Sequence, residues 1–211
     1  MTAKERVVWA VNHVEGNFAL SSSFGIQSAV MLHLVTTIRP NIPVILADTG
    51  YLFPETYQYI DYLTEQLNLN LIITRSKHSP AWQLARYGKE WEQGKEALVR
   101  YNHRNKVEPL DSALDEHNVN TWFSGIRRQQ SKEREQMDFI SQTRGRIKVH
   151  PILEWTHRDI FSYLAKHKIK PHPLWEKGYT TVGDTHSTNA GELNDPNTRF
   201  NGIKRECGIH L

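Results

Sequence analysis

Three short apolar runs, separated by two amphipathic stretches, leave this chain few folds to choose from. Phe18-Ala19-Leu20 runs into Ser21-Ser22-Ser23, Val44-Ile45-Leu46-Ala47 follows Pro43, and Leu69 to Thr74 forms the third run. Between the first two, Ile26, Ala29, Val30 and Leu34 keep helical spacing. Between the second and third, Ile60, Leu63 and Leu67 share a face, and Pro54 suits the first turn of that helix. Strand, helix, strand, helix, strand with crossovers of this length predicts an α/β fold, a parallel central sheet with helices on both faces.

The rest of the chain extends that plan. Val7, Val8, Ala10, Val11 and Val14 predict an opening helix that ends near Gly16. A helical stretch is expected from Trp82 to His117, a strand at Thr121-Trp122-Phe123-Ser124, and a last strand from Lys148 to Leu153. Thr156 with Asp159 has the form of a capping box opening a helix over Ile160, Phe161 and Leu164. From about Pro171 no hydrophobic period persists, although Trp175 and Tyr179 offer large anchors. The expectation is one domain over 1–211, with an α/β core to about 170 and an irregular tail over 171–211.

Composition narrows the class. A 38% apolar content with six Trp, seven Phe and eight Tyr is that of a globular chain, not a disordered one. No apolar run approaches the roughly 18–20 residues of a membrane span, and Met1 to Val14 lacks a signal peptide's apolar region. A cytoplasmic protein is expected. The net charge of +3 gives no ground for a nucleic-acid partner, although cations cluster at Arg127, Arg128, Lys132 and Arg134 and again at Arg144, Arg146 and Lys148. A single cysteine, Cys207, permits no intrachain disulfide and no thiolate-built zinc or iron–sulfur site. No metal is expected.

Ligands of open α/β sheets bind beyond the carboxyl ends of strands, where the strand order switches direction. Three segments stand at such ends. Ser21-Ser22-Ser23-Phe24-Gly25 precedes a helix, so its backbone N–H groups and hydroxyls make an anion cradle. Asp48-Thr49-Gly50 either lines a ligand or caps a helix. Gly125-Ile126-Arg127-Arg128 brings two guanidinium groups that suit phosphate, or a solvated surface. In the tail, Lys204, Arg205 and His210 surround Cys207 with groups that favour a thiolate, while Glu206 opposes them.

Together these segments resemble the phosphoadenosine phosphosulfate (PAPS) reductase family. The resemblance rests on Ser21 to Gly25, Asp48 to Thr56, Trp122 with Gly125 to Arg128, Val182-Gly183-Asp184, and the terminal Lys204-Arg205-Glu206-Cys207-Gly208-Ile209-His210. It covers nearly the whole chain in order. The resemblance implies an adenine-nucleotide-binding fold shared with the ATP pyrophosphatases. Those enzymes carry a Ser-Gly-Gly-x-Asp-Ser loop, whereas this chain has Ser22-Ser23-Phe24-Gly25-Ile26-Gln27-Ser28, a departure that speaks against ATP cleavage. The lone cysteine also separates it from adenosine phosphosulfate (APS) reductases that bind an iron–sulfur cluster through extra cysteine pairs.

The family implies reduction of PAPS to sulfite and adenosine 3′,5′-bisphosphate, with reduced thioredoxin or glutaredoxin as donor and no bound cofactor. It further implies a homodimer, Cys207 as nucleophile through a thiosulfonate, and His210 tuning the thiol or contacting the anion. Substrate contacts are expected from Ser22, Ser23, Phe24, Gly25, Asp48, Thr49, Gly50, Gly125, Arg127, Arg128, Lys204 and Arg205. Because Cys207 must reach a nucleotide and then a protein reductant, the tail is expected to move. Two other readings compete: a regulatory module that binds nucleotide without turnover, opposed by the presence of Cys207, and an ATP-dependent adenylating or sulfur-transferring enzyme, opposed by the loop departure.

Overall fold

The structure, a computed structural model, describes residues 1–130, 134–192, 195–203 and 208–209. Its centre is a six-stranded sheet in the order β3-β2-β1-β4-β6-β5. The strands are β1 Asn17–Ser21, β2 Pro43–Ala47, β3 Asn70–Thr74, β4 Val119–Ser124, β5 Ile140–Thr143 and β6 Arg146–Val149. β3, β2, β1, β4 and β6 are mutually parallel, with Leu20 opposite Val44 and Phe123. β5 is antiparallel to β6 and forms one edge.

Alternation along the strands divides the core. Phe18, Leu20, Val44, Leu46, Phe123 and Val149 face a large cluster with helices α1 Ala3–His13, α2 Ser28–Ile38, α3 Pro54–Leu67 and α7 His157–Lys166. Ala19, Ile45 and Trp122 face the opposite way, onto Leu110, Ala113 and Leu114 of α6 Glu108–Glu116. Helices therefore cover both faces, four against one. α7 opens with the predicted capping box, Thr156 Oγ1 accepting from Asp159 N at 3.2 Å while Asp159 accepts from Thr156 N at 2.7 Å.

Two features depart from the sequence reading. The expected helix over Trp82–His117 is broken into α4 Pro80–Tyr87, a 3₁₀ turn Glu90–Glu92, α5 Lys95–Asn102, a π-helical turn His103–Val107, and α6. Gly88 and Gly94 take φ of +68° and +88°, which ends α4 and starts α5. Pro109 has no N–H for the carbonyl four residues back and would crowd it, and the wider π turn accommodates this. Secondly, the strand expected at Lys148–Leu153 starts earlier and ends at Val149, just before Pro151, and it pairs with β5. Arg144 and Gly145, with φ of +53° and +74°, form the two-residue turn between them.

Candidate active site

The first two crossovers carry the chain from β1 to β2 to β3, and β4 then returns to the other side of β1. The switch lies between β1 and β4, where a cavity of about 300 Å³ opens beyond their carboxyl ends. Its walls come from the β1–α2 loop, the ends of β2 and β4, the π turn, and the segments around 180–184 and 198–199.

The β1–α2 loop is set by short-range bonds. Phe24 N donates to Ser22 Oγ at 3.1 Å, and both Ser28 N and Ser28 Oγ donate to the Gly25 carbonyl, at 3.1 and 2.7 Å. Phe24 is fully buried at φ +48°, an uncommon conformation for a bulky residue, so its ring anchors the loop while its backbone turns it. No side chain caps the N-terminus of α2, whose first turn has no acidic residue. Beyond Ser28 N, which the Gly25 carbonyl takes, its first-turn N–H groups have no side-chain cap and suit an anion. Ser22, Ser23 and Gly25 line the cavity; Phe24 does not.

At the end of β2 the two alternatives for Asp48-Thr49-Gly50 separate residue by residue. The buried Asp48 carboxylate accepts from Gly50 N at 2.9 Å, Tyr57 Oη at 2.7 Å and Arg75 Nε at 2.9 Å. It fixes the turn and stays outside the cavity lining, as does Gly50, whose φ is +75° and where a Cβ would stand 2.6 Å from Pro80 Cγ. Thr49 lines the cavity, and its hydroxyl donates to Asp184 Oδ1 at 2.6 Å.

At the end of β4, Gly125 and Arg127 line the cavity and Arg128 does not. A Cβ at Gly125 would lie 2.8 Å from Met31 Cγ, so the strand passes α2 closely there. Arg127 is buried; its guanidinium donates to the Trp155 carbonyl at 3.1 Å and to Gln27 Oε1. Among the described residues no carboxylate touches it. Burial, then the neighbouring charge of Arg134, lowers its pKa to about 10. His157 stands 3.4 Å from Arg127 Nη2, and burial with that cation holds its pKa down at about 4. Arg128 turns outward to the Glu135 carbonyl at 2.9 Å and Glu154 at 3.6 Å.

Lys106, Asp184 and Arg199, absent from the expected contacts, also line the site. The π turn delivers Lys106, whose Nζ is 2.5 Å from Asp184 Oδ2. Asp184 is fully buried; burial alone would raise its pKa, but Lys106, with the Thr49 hydroxyl and the His186 ring, outweighs that and brings it to about 2. Arg199 pairs through a β-bridge with Thr188 and sits beside Gly183, where a side chain would strike its guanidinium. Among the described lining residues, the cations Lys106, Arg127, Arg134 and Arg199 face one carboxylate, Asp184. Asp184 belongs to the Val182-Gly183-Asp184 motif; Lys106 and Arg199 carry no comparable signal in the sequence.

Cys207, His210, Lys204 and Arg205 lie outside the described residues. Of the tail's end, Gly208 and Ile209 are described. Ile209 lines the cavity and packs against the α6-side cluster that includes Leu110 and Trp122.

A family profile, the phosphoadenosine phosphosulfate reductase domain, matches residues 17–190. The chain is 58% identical over its full length to the phosphoadenosine 5′-phosphosulfate reductase of Salmonella schwarzengrund, covering 87% of that protein. It is 56% identical to that of Vibrio cholerae, again over its full length and 84% of the relative. Among solved structures, the PAPS reductase of Candida auris in complex with phosphate superposes with a TM-score of 0.77 at 26% identity, over 90% of this chain and 91% of the other. The FMN adenylyltransferase of Candida glabrata shares the fold, with a TM-score of 0.65 at 14% identity, over 92% of this chain and 68% of the other.

Proposed function

The chain belongs to the phosphoadenosine phosphosulfate reductase family, and from that premise we propose that its cavity holds PAPS for attack by Cys207. The enzyme is an oxidoreductase of sulfate assimilation that reduces PAPS to sulfite. The observation that carries the site assignment is the charge of the cavity. Four cations against one carboxylate, behind an uncapped helix N-terminus, suit a ligand with several anionic groups.

Ser22, Ser23 and the backbone at Gly25 hold one phosphate. Arg127 and its neighbours take a second anion, and Lys106 and Arg199 face the phosphosulfate. Thr49 acts through Asp184, keeping Lys106 in place. Lys204 and Arg205 add positive charge from the tail, and His210 tunes the thiol or meets the anion. In the first step the Cys207 thiolate attacks the sulfuryl sulfur. The S–S bond forms, the S–O bond to phosphate breaks, and its electron pair leaves on adenosine 3′,5′-bisphosphate. In the second, a thiolate of reduced thioredoxin or glutaredoxin attacks Cys207 Sγ and sulfite departs. The donor's other thiol resolves the mixed disulfide, so the dithiol is oxidised and the Cys207 thiolate returns. No bound cofactor enters.

This reading includes one domain over 1–211, a homodimer and a cytoplasmic location. No described helix is long and apolar enough to cross a membrane. The deciding experiment measures sulfite release from PAPS and from APS with reduced thioredoxin, for the native chain and Cys207→Ser. Turnover of PAPS over APS is expected, with none from Cys207→Ser and nucleotide binding retained. Appreciable turnover by the serine variant would remove the nucleophile assignment.

A further inference from the structure

The β5–β6 hairpin is tied to α6 by two arginine–aspartate pairs. Arg144 Nη1 donates to Asp111 Oδ1 at 2.7 Å, and Arg146 Nη2 donates to Asp115. The spacings match: four residues of helix advance about 6 Å and two of strand about 6.5 Å. Arg146 completes its bonds locally, with Nε on the Val119 carbonyl at 3.0 Å and Nη1 on the Arg144 carbonyl at 3.3 Å. Arg144 does something different. Its Nη2 reaches across the gap to the tail and donates to the Gly208 carbonyl at 2.8 Å. Next along the chain, Ile209 packs into the cluster of Leu110, Leu114, Val119 and Trp122.

Gly208 directly follows Cys207 in the sequence. Resting on the reading of Cys207 as nucleophile, we propose that Arg144 is a positioning residue of the reductase. Braced by Asp111, it holds the Gly208 carbonyl and so sets where the thiol-bearing tail meets the sulfonate. Three features make the contact suited to that task. It is a charge-assisted bond to backbone, so it fixes the chain's path and not a side-chain rotamer. The guanidinium is bidentate between helix and tail, with its side chain three-quarters covered. And the Ile209 anchor lies immediately beyond it, so the tail is held by a polar and an apolar contact in succession. Arg144 itself does not line the cavity, so substrate affinity should not depend on it.

The test mixes the full chain with saturating PAPS in the absence of any dithiol and follows transfer of one sulfonate group to the protein by intact mass. Arg144→Ala should slow transfer about tenfold or more, the loss of one charge-assisted bond at the reacting segment. Arg144→Lys should recover part of the rate. The affinity for adenosine 3′,5′-bisphosphate, measured separately, should be unchanged in both. Arg146→Ala breaks the companion hairpin–helix pair without touching the tail and should transfer at the native rate. Should Arg144→Ala fail to fold, Asp111→Asn leaves Arg144 present but unbraced, and slowed transfer is again expected. Native transfer by Arg144→Ala or, in its place, Asp111→Asn would overturn the proposal. So would equal slowing by Arg146→Ala, which would make hairpin stability the cause. Cys207→Ser separates the two layers: sulfonate appearing on that variant would overturn the nucleophile reading itself, whereas native transfer by Arg144→Ala with an inert Cys207→Ser overturns the positioning role alone.

Discussion

Lys106 Nζ and Asp184 Oδ2 stand 2.5 Å apart, both side chains almost wholly withdrawn from solvent, on the wall of a cavity whose other charged lining residues, among those described, are cations. Asp184 also accepts from Thr49 at 2.6 Å and from Tyr101 at 3.2 Å. The carboxylate is the hub that orients the Lys106 side chain in an interior position. Asp184→Asn leaves Lys106 buried without its counter-charge, and removing one partner of a buried pair costs about 3–5 kcal/mol. Urea unfolding at neutral pH checks this. A loss within error of zero would show that Lys106 finds another partner.

The buried histidines set the acid limit of stability. His172 accepts from Leu174 N at 3.1 Å through Nδ1 and bonds Thr56 through Nε2 at 3.1 Å, an arrangement of the neutral ring. Burial, opposed by Glu55, lowers its pKa to about 4, and burial with Lys148 lowers that of His150 to about 3. The unfolded chain takes up these protons near pH 6.5 and the folded chain does not. The contribution is therefore complete above about pH 6.5 and is lost as the pH falls toward 4, at up to about 1.4 kcal/mol per pH unit for each ring. Urea titrations at stepped pH should show this slope, shallower by one proton in His172→Gln. Parallel curves for the two proteins would exclude His172 from the effect.

How much of this was legible in the sequence depends on the range of the interaction. The Ser22–Gly25 turn and the Thr156–Asp159 cap are local, built from residues within a few positions of one another, and spacing alone exposes them. The parallel core follows from the alternation of apolar runs. Lys106 is different: it reaches the cavity only because a π turn, tied to Pro109, rotates the helix there, and because a distant carboxylate holds it. Nor does sequence distinguish Asp48 from Thr49. One carboxylate is committed to Tyr57 and Arg75, partners that only the folded chain brings together. β5 escaped notice because Ile140-Ser141-Gln142-Thr143 is a polar edge strand, and its turn is Arg144-Gly145 in place of the usual Asn-Gly.

Gly183 makes room for Arg199, a cation of the proposed substrate site. A methyl group there would collide with the Arg199 guanidinium, the far end of a flexible side chain, so the fold can absorb the change by letting Arg199 swing away. Gly183→Ala should keep its thermal midpoint while its KM for PAPS rises about tenfold, the scale of one charge-assisted contact. At Gly25, by comparison, a methyl would sit 3.4 Å from the Val182 carbonyl, a contact that calls for only a slight adjustment. A lowered midpoint with an unchanged KM in Gly183→Ala would assign the glycine to packing.

Adjacent in sequence, Arg127 and Arg128 should behave as opposites. Arg128 N donates to the Leu153 carbonyl at 2.7 Å as the chain enters the 3₁₀ turn Arg128–Gln130, and the two side chains go different ways. Arg127 goes inward, with no carboxylate in contact among the described residues; Gln27 and the Trp155 carbonyl accept hydrogen bonds from its guanidinium, and although burial and the charge of Arg134 lower its pKa to about 10, it stays charged at neutral pH. Arg128 goes outward to Glu154 at 3.6 Å, an exposed pair worth about 0–1 kcal/mol. Arg127→Lys keeps the charge but loses the fork that serves Gln27, Trp155 and a ligand together. Affinity for adenosine 3′,5′-bisphosphate should then fall about ten- to a hundredfold. If Arg127 faces the 3′-phosphate, the loss should be larger for that nucleotide than for adenosine 5′-monophosphate. Arg128→Ala should bind both as the native chain does. Calorimetric titration of the two variants with the two nucleotides decides it: equal losses from Arg127→Lys would place the 3′-phosphate elsewhere, and a loss from Arg128→Ala would mean that its side chain turns inward when nucleotide binds.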